Sequence, residues 1–152
     1  MRRGSRLWVS GRIGDDFMTT ANWVFDRAIH LMDEQNETNG KTRTQDTKEY
    51  EYRTLSILNV LVTELYPYSD TYEVRDDGKR SSPPELESLE QPIDLDDSIC
   101  RSVLPYGLAA HLLLGENDVM ASFFNQRYTE ILNGLRSRAT AVWEDIPFSF
   151  GW

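Results

Sequence analysis

The spacing of apolar residues in the last third of the chain is the strongest constraint on its fold. Large apolar side chains recur there at steps of three and four residues: Met120, Phe123, Phe124, Tyr128, Ile131, Leu132 and Leu135. This is the period of an α-helix that turns one face toward a core. Because Asn117 is a suitable N-terminal cap, the sequence predicts a helix from that residue to about Gly134.

The same period predicts two helices in the first half of the chain. The first begins at Thr19 or Thr20, either of which is a plausible N-cap, and ends in the polar stretch 36–40. The second runs over residues 46–65 and is stopped by Pro67. Since its apolar residues cover more than one narrow face, we expect this second helix to be the central element of the fold.

A third helix is predicted over residues 98–114, and Pro105 within it should produce a kink. Between the second and third helices, residues 69–97 are rich in Ser, Pro and acidic side chains, which is typical of an exposed loop. The turn signal at residues 76–79 allows an alternative, a short β-ribbon with a strand at residues 71–74.

These elements predict a mainly α fold, a small antiparallel helical bundle of about four helices with the long loop or short β-ribbon between helices 2 and 3. Residues 18–136 form the helical domain, with 69–97 as an inserted loop or ribbon. Residues 1–17 are an N-terminal extension, and Met18 is a second candidate start. Residues 137–152 form an extended, aromatic C-terminal tail.

The composition of the chain disfavours several classes of ligand and of protein. The formal net charge of -9 makes nucleic acid an unfavourable main ligand, because phosphate binding is driven by Lys and Arg. The single cysteine, Cys100, excludes an internal disulfide and is expected to be a small buried hydrophobe. No stretch approaches the roughly 18 apolar residues of a membrane span, so we expect a soluble product of the cytoplasm.

The residues that carry most enzymatic chemistry are sparse in this chain. His30 and His111 are the only histidines, and neither has a metal ligand at suitable spacing, so structural roles are expected. The acidic pairs at 33–34, 76–77 and 96–97 suit helix caps and solvated turns better than acid-base catalysis. No phosphate-binding, nucleophile or zinc motif is present, so no catalytic, metal or cofactor site is expected.

Two aromatic groups are candidate binding surfaces. The tail carries Trp143, Ile146, Phe148, Phe150 and Trp152, which either fold back on the helices or dock into a partner. A tyrosine cluster near the end of the second helix includes Tyr66, Tyr68 and Tyr72. Tyrosine suits contact surfaces, which makes this cluster the candidate subunit contact, although partial core packing explains it equally well.

Four segments follow one another along the chain: LYPYSDTY at the end of the second helix, PIDLDD in the loop, LPYGLAAHLLLGEN in the third helix and FFNQRYTEILNGL in the last. In this order they resemble small head-tail connector (adaptor) proteins of tailed bacteriophages of Gram-positive bacteria. The resemblance covers the chain from about Met18 to its C-terminus and does not include residues 1–17.

The resemblance implies a structural protein of the virion neck, made in the cytoplasm of the bacterial host. In that family a helical subunit assembles as a ring, commonly twelve-fold, on the portal protein, and a C-terminal tail often reaches into the portal. The aromatic residues of the tail would then contact the portal, while a downstream neck or tail protein would bind elsewhere. DNA would pass through without sequence-specific binding, helped by the acidic charge of the ring.

Other functions remain open on the sequence alone. A head-completion or tail-terminator protein of a phage is the nearest alternative. In a different class, a small helix-turn-helix DNA-binding regulator would use residues 114–117 as its turn, but the last helix offers only Arg127, Arg136 and Arg138. A small enzyme, or an inhibitor of one, is the least favoured class.

Overall fold

The computed structural model of the protein describes residues 18–145, without the side chains of residues 138–145. Within this part the chain forms helices α1 (Ala21–Met32), α2 (Lys48–Leu65), α3 (Asp97–Ser102), α4 (Leu104–Leu113) and α5 (Asp118–Asp145). A short 3-10 helix, Tyr66–Tyr68, extends α2. No residue of the described part belongs to a strand, and the prediction of a mainly α fold is confirmed.

Helix α1 begins as predicted and ends earlier than predicted. The Thr20 hydroxyl accepts a hydrogen bond from the Trp23 backbone N–H at 3.2 Å, so Thr20 is the N-cap. Asp33 leaves the helix in the left-handed region, with φ 61°, and its N–H donates to the carbonyl of His30. The predicted end at 36–40 is wrong because the chain already turns there around Asn36, whose side chain accepts from two backbone N–H groups.

Helix α4, not α2, is the central element. It packs against α1, α2, α3 and α5, and most of its side chains are buried. The small residues Gly107, Ala109 and Ala110 allow neighbouring helices to approach α4 on several sides. In contrast, α2 packs against α4 and α1 but leaves Tyr52 and Val60 exposed on one side, so the expectation that α2 is the central element is wrong.

The predicted third helix is two helices rather than one kinked helix. The break falls at Val103, between α3 and α4. Pro105 lies in the first turn of α4, where its missing N–H leaves no intrahelical hydrogen bond unmade. Starting a new helix therefore accommodates the proline at lower cost than bending one continuous helix.

Helix α5 continues to Asp145 and does not end near Gly134 as predicted. A glycine inside a helix costs about 1 kcal/mol relative to alanine, which neighbouring good helix formers can offset. Residues 137–145, assigned to the extended tail from the sequence, are therefore helical, and only residues 146–152 of that tail lie outside the described part.

Residues 69–96 form the long loop, and residues 71–74 are not a strand. The two ends of the loop meet, since the Asp96 N–H donates to the Ser69 hydroxyl at 2.9 Å and the Thr71 hydroxyl donates to the Asp94 carbonyl at 3.0 Å. Between them the loop adds apolar side chains to the core, at Leu86, Leu89, Ile93 and Leu95. It is thus part of the folded body despite its polar composition.

Contacts between α2 and α5 define the relative directions of the helices. The Tyr50 hydroxyl, near the start of α2, donates to Glu116 just before α5 at 2.6 Å. Near the other end of α2, Glu64 accepts a hydrogen bond from Tyr128, which lies further along α5. Helices α2 and α5 therefore run in the same direction, and α4, which leads into α5 through a tight turn at Gly115, runs opposite to both.

Candidate interaction surfaces

The candidate contact residues of the tail fall at or beyond the end of α5. Trp143 lies in the last turns of the helix, whereas Ile146, Phe148, Phe150 and Trp152 lie outside the described residues. Their role in binding a portal protein stays a prediction. The structure adds that α5 extends to Asp145, the residue directly before Ile146.

The length by which α5 extends beyond α2 can be estimated from the contacts of α5. Arg136 donates from Nε to the Tyr68 hydroxyl at 3.3 Å, beyond the C-terminal end of α2. The helix then continues from residue 137 to Asp145, which adds about 13 Å at 1.5 Å per residue. The described end of α5, at Asp145, therefore lies well beyond the level at which α2 ends.

The three tyrosines of the predicted subunit contact lie together but differ in exposure. Tyr66 is 4% exposed and its ring meets Tyr72 edge-on, with ring centroids 5.1 Å apart. Tyr68 and Tyr72 are half-buried against the same core. Tyr66 is thus a core residue, and of these three tyrosines only Tyr68 and Tyr72 retain exposed surface.

Two tyrosine-glutamate hydrogen bonds link α2 to α5 and were not predicted from the sequence. Tyr50 donates to Glu116, and Tyr128 donates to Glu64. Burial of each phenol and its hydrogen bond to a carboxylate raise the pKa of both Tyr50 and Tyr128 well above the ordinary value. No pattern in the sequence pairs these residues, because 66 and 64 positions separate the partners.

The acidic pair at 96–97 caps and anchors α3, as predicted for such pairs. Asp96 accepts from the Ile99 backbone N–H at 3.0 Å, and Asp97 accepts from the Thr19 hydroxyl at 2.7 Å. Partial burial would raise the pKa of Asp96, but hydrogen bonds from Ile99, Ser98 and the Asp70 N–H together lower it. In the loop, Arg75 lowers the pKa of Asp77 by a direct hydrogen bond.

The remaining reactive side chains are dispersed. His30 and His111 are exposed on α1 and α4, and the described residues contain no group of ligands that could hold a metal ion. Cys100 is fully buried, and this burial, together with Asp97 and Asp96, raises the pKa of its thiol to about 12. No described helix is long and apolar enough to cross a membrane.

The surface carries aromatic and apolar features on three helices. On α1, the Trp23 ring lies beneath two guanidinium groups, with Arg27 4.7 Å and Arg101 5.6 Å from the ring centroid. On α2, Val60 is exposed beside a groove of about 480 Å³ that the loop residues 82–85 close on the other side. Near the start of α5, Val119 and Phe123 are exposed.

Comparisons with protein-family profiles, with curated proteins and with solved structures find no match for this chain.

Proposed function

We propose that this chain is a structural, non-enzymatic protein of a tailed-phage virion, a head-tail connector that assembles as a ring on the portal protein. In this proposal each subunit is a small antiparallel helical bundle, and the ring forms part of the conduit for DNA. The proposal rests on the resemblance of four segments to such connectors, and on one geometric observation about α5.

That observation is the length of α5 relative to its neighbours. The helix has 28 residues, whereas α4 against which it packs has 10. Its last nine residues carry the chain past the level of Tyr68 and toward the apolar segment 146–152. A long helix that ends in an uncharged aromatic segment is a suitable device for reaching into a second protein, since aromatic side chains supply much of the energy of protein contacts.

The packing of two of the resembling segments also supports the proposal. LPYGLAAHLL forms α4, the buried centre of the fold, and FFNQRYTEILNGL lies in α5, which packs against it. The resemblance in these segments therefore falls in the part of the chain that determines the packing of the helices.

The charge of the chain fits a conduit. With 25 acidic and 16 basic residues, a ring of many copies would carry a strongly negative net charge. Such a charge repels the phosphate backbone and lets DNA move without adhering.

Among the alternatives, a head-completion or tail-terminator protein would use the same features with a different partner. The helix-turn-helix alternative is less favoured. Arg127, one of the few basic residues on α5, is already paired with Glu130 at 2.9 Å, which leaves little positive charge for phosphates.

Co-purification with the portal protein encoded in the same gene cluster tests the proposal. The full chain is compared with a chain ending at Asp145, which keeps α5 whole and removes only residues 146–152. We expect the full chain to form a ring-sized complex with the portal and the shortened chain to bind at least tenfold more weakly.

A matched control is Val74→Ser, which removes an exposed apolar side chain from the loop and should leave capture unchanged. Capture of neither form by the portal would contradict the connector proposal, and binding of both forms to a tail protein instead would favour a tail-terminator. Equal capture of both forms would keep the connector and remove the role of residues 146–152.

A further inference from the structure

A groove open to solvent lies beside α2. Asn59, Val60 and Thr63 form one wall, and residues 82–85, which include Pro83 and Pro84, form the other. Val60 is 66% exposed there and gives this wall an apolar surface. The groove, of about 480 Å³, is open to solvent and has room for an aromatic side chain.

Hydrogen bonds from two amide side chains hold the loop wall of this groove in place. Asn59 donates to the Leu86 carbonyl at 3.0 Å and accepts from the Leu86 N–H at 2.7 Å, as a neighbouring β-strand would. Gln91 accepts from the Glu87 N–H at 2.9 Å and donates to the Glu85 carbonyl at 3.1 Å. The two prolines stand directly before this fixed segment, so the groove requires little ordering when something binds.

The start of α5 presents an exposed aromatic side chain, Phe123, of a size that the groove can hold. Phe123 is 54% exposed, and its ring packs edge-on against buried Phe124, with centroids 5.6 Å apart. Val119, one turn earlier, extends the same exposed apolar stripe. Phe123 therefore projects as an aromatic knob whose base is fixed by the core.

The groove and the knob lie at the same height along the helices. Glu64 of α2 and Tyr128 of α5 are hydrogen-bonded and mark one level. Val60 is four residues before Glu64 and Phe123 is five before Tyr128, so both lie about 6 to 8 Å above that level. In a head-to-tail ring, one surface of each subunit contacts a different surface of the next subunit. When the helices stand parallel to the ring axis, these two surfaces must lie at the same height.

The charged residues beside Phe123 and beside the groove also favour contact between these two surfaces. Arg127 follows Phe123 by one turn on the exposed side of α5, where it donates to Glu130 in an exposed ion pair that contributes little and can exchange for another partner. Glu85 stands exposed at the rim of the groove. When Phe123 enters the groove of another copy, Arg127 is positioned to meet the acidic loop that carries Glu85.

We propose that neighbouring copies contact each other by inserting Phe123 of one copy into the groove between α2 and residues 82–85 of the next. The occupant of the groove is thus a second copy of this chain. The inference rests on the proposed ring, but it predicts self-association of the purified chain without any portal protein.

Sedimentation velocity of the purified full chain tests this contact, over about 10 µM to 1 mM, a range that detects weak association. We expect the unaltered chain to form larger assemblies as its concentration rises. Phe123→Glu and Val60→Glu should each remain monomeric. An equimolar mixture of the two variants should form a dimer and nothing larger, because one variant retains the groove and the other retains the knob.

Thr129→Glu is the matched control, since it adds the same charge at another exposed position of α5 and should associate like the unaltered chain. Circular dichroism of each variant establishes that it is folded. Charge reversal gives a second test. Arg127→Glu and Glu85→Arg should each weaken association about tenfold, and the two changes in one chain should restore it.

Three results would overturn the inference: a monomeric unaltered chain at all these concentrations, assembly of either Glu variant like the unaltered chain, or a mixture that stays monomeric. The connector proposal fails separately, through the portal experiment. Self-association without portal capture would support this contact and contradict the connector proposal. A portal-bound ring formed equally well by Phe123→Glu would support the connector proposal and contradict this contact.

Discussion

Gly107 of α4 lies so close to Tyr128 of α5 that a β-carbon on Gly107 would be 2.9 Å from two carbons of the tyrosine ring. The same β-carbon would be 3.0 Å from a methyl carbon of Leu61 in α2. Three helices therefore meet at a position where only glycine fits. This close approach is what allows α4 to lie at the centre of the fold.

Gly107→Ala should destabilise the protein by about 1 to 3 kcal/mol, the usual cost of overpacking a core. Helix propensity alone predicts the opposite sign, because alanine favours a helix over glycine by about 1 kcal/mol. The free energy of unfolding in urea decides between them. Gly134→Ala is the matched control, since nothing lies within 4 Å of its β-carbon, and it should stabilise the protein.

The two tyrosine-glutamate pairs should make stability fall at high pH. Folding raises the pKa of Tyr50 and Tyr128 above the value of about 10 that unfolded tyrosines have. Their contribution is thus complete below about pH 10 and is lost as the pH rises further, while the unfolded chain ionises first. Urea unfolding between pH 8 and pH 12 measures this loss, and Tyr50→Phe with Tyr128→Phe should reduce its slope.

At neutral pH each of these substitutions should destabilise the protein by about 1.5 to 3 kcal/mol, the usual contribution of a hydrogen bond to a charged carboxylate. Tyr52→Phe is the control, because Tyr52 is exposed on α2 and should change neither the stability nor its slope. An unaltered slope in the double variant would contradict the assignment of the high-pH loss to Tyr50 and Tyr128.

The cap at the start of α3 should make stability fall at low pH. Folding lowers the pKa of Asp96, so its contribution is complete above the unfolded value of about 4 and is lost as the pH falls through the folded value. Asp96→Ala should cost about 1 to 2 kcal/mol at pH 7 and less at pH 2. Asp76→Ala, in the exposed loop, should leave unfolding unchanged at both pH values.

The thiol of Cys100 should react only when the protein unfolds. It is fully buried, and its pKa of about 12 leaves almost no thiolate at pH 8. A chromogenic disulfide reagent should therefore label the folded chain at least a hundredfold more slowly than the chain in urea. Rapid labelling of the folded chain would show that α3 opens independently of the remaining helices.

Much of the secondary structure could be predicted because it depends on neighbours in the sequence. Thr20 and Asn117 cap their helices through backbone N–H groups three residues away. Pro67 limits α2, and Gly115, with φ 91°, permits the turn after α4. The candidate surfaces were predicted less well, because exposure of Tyr66 or Val60 depends on what packs over them.

Apolar period, caps and composition are local properties, and they are enough to predict a mainly helical chain, the starts of most of its helices and its acidic charge. Tertiary packing sets the central place of α4, the pairing of Tyr50 with Glu116 and of Tyr128 with Glu64, and the exposure of Val60 and Phe123 at one height. These features depend on close contacts between residues far apart in the chain, such as Gly107 against Tyr128, and no local pattern encodes such pairings.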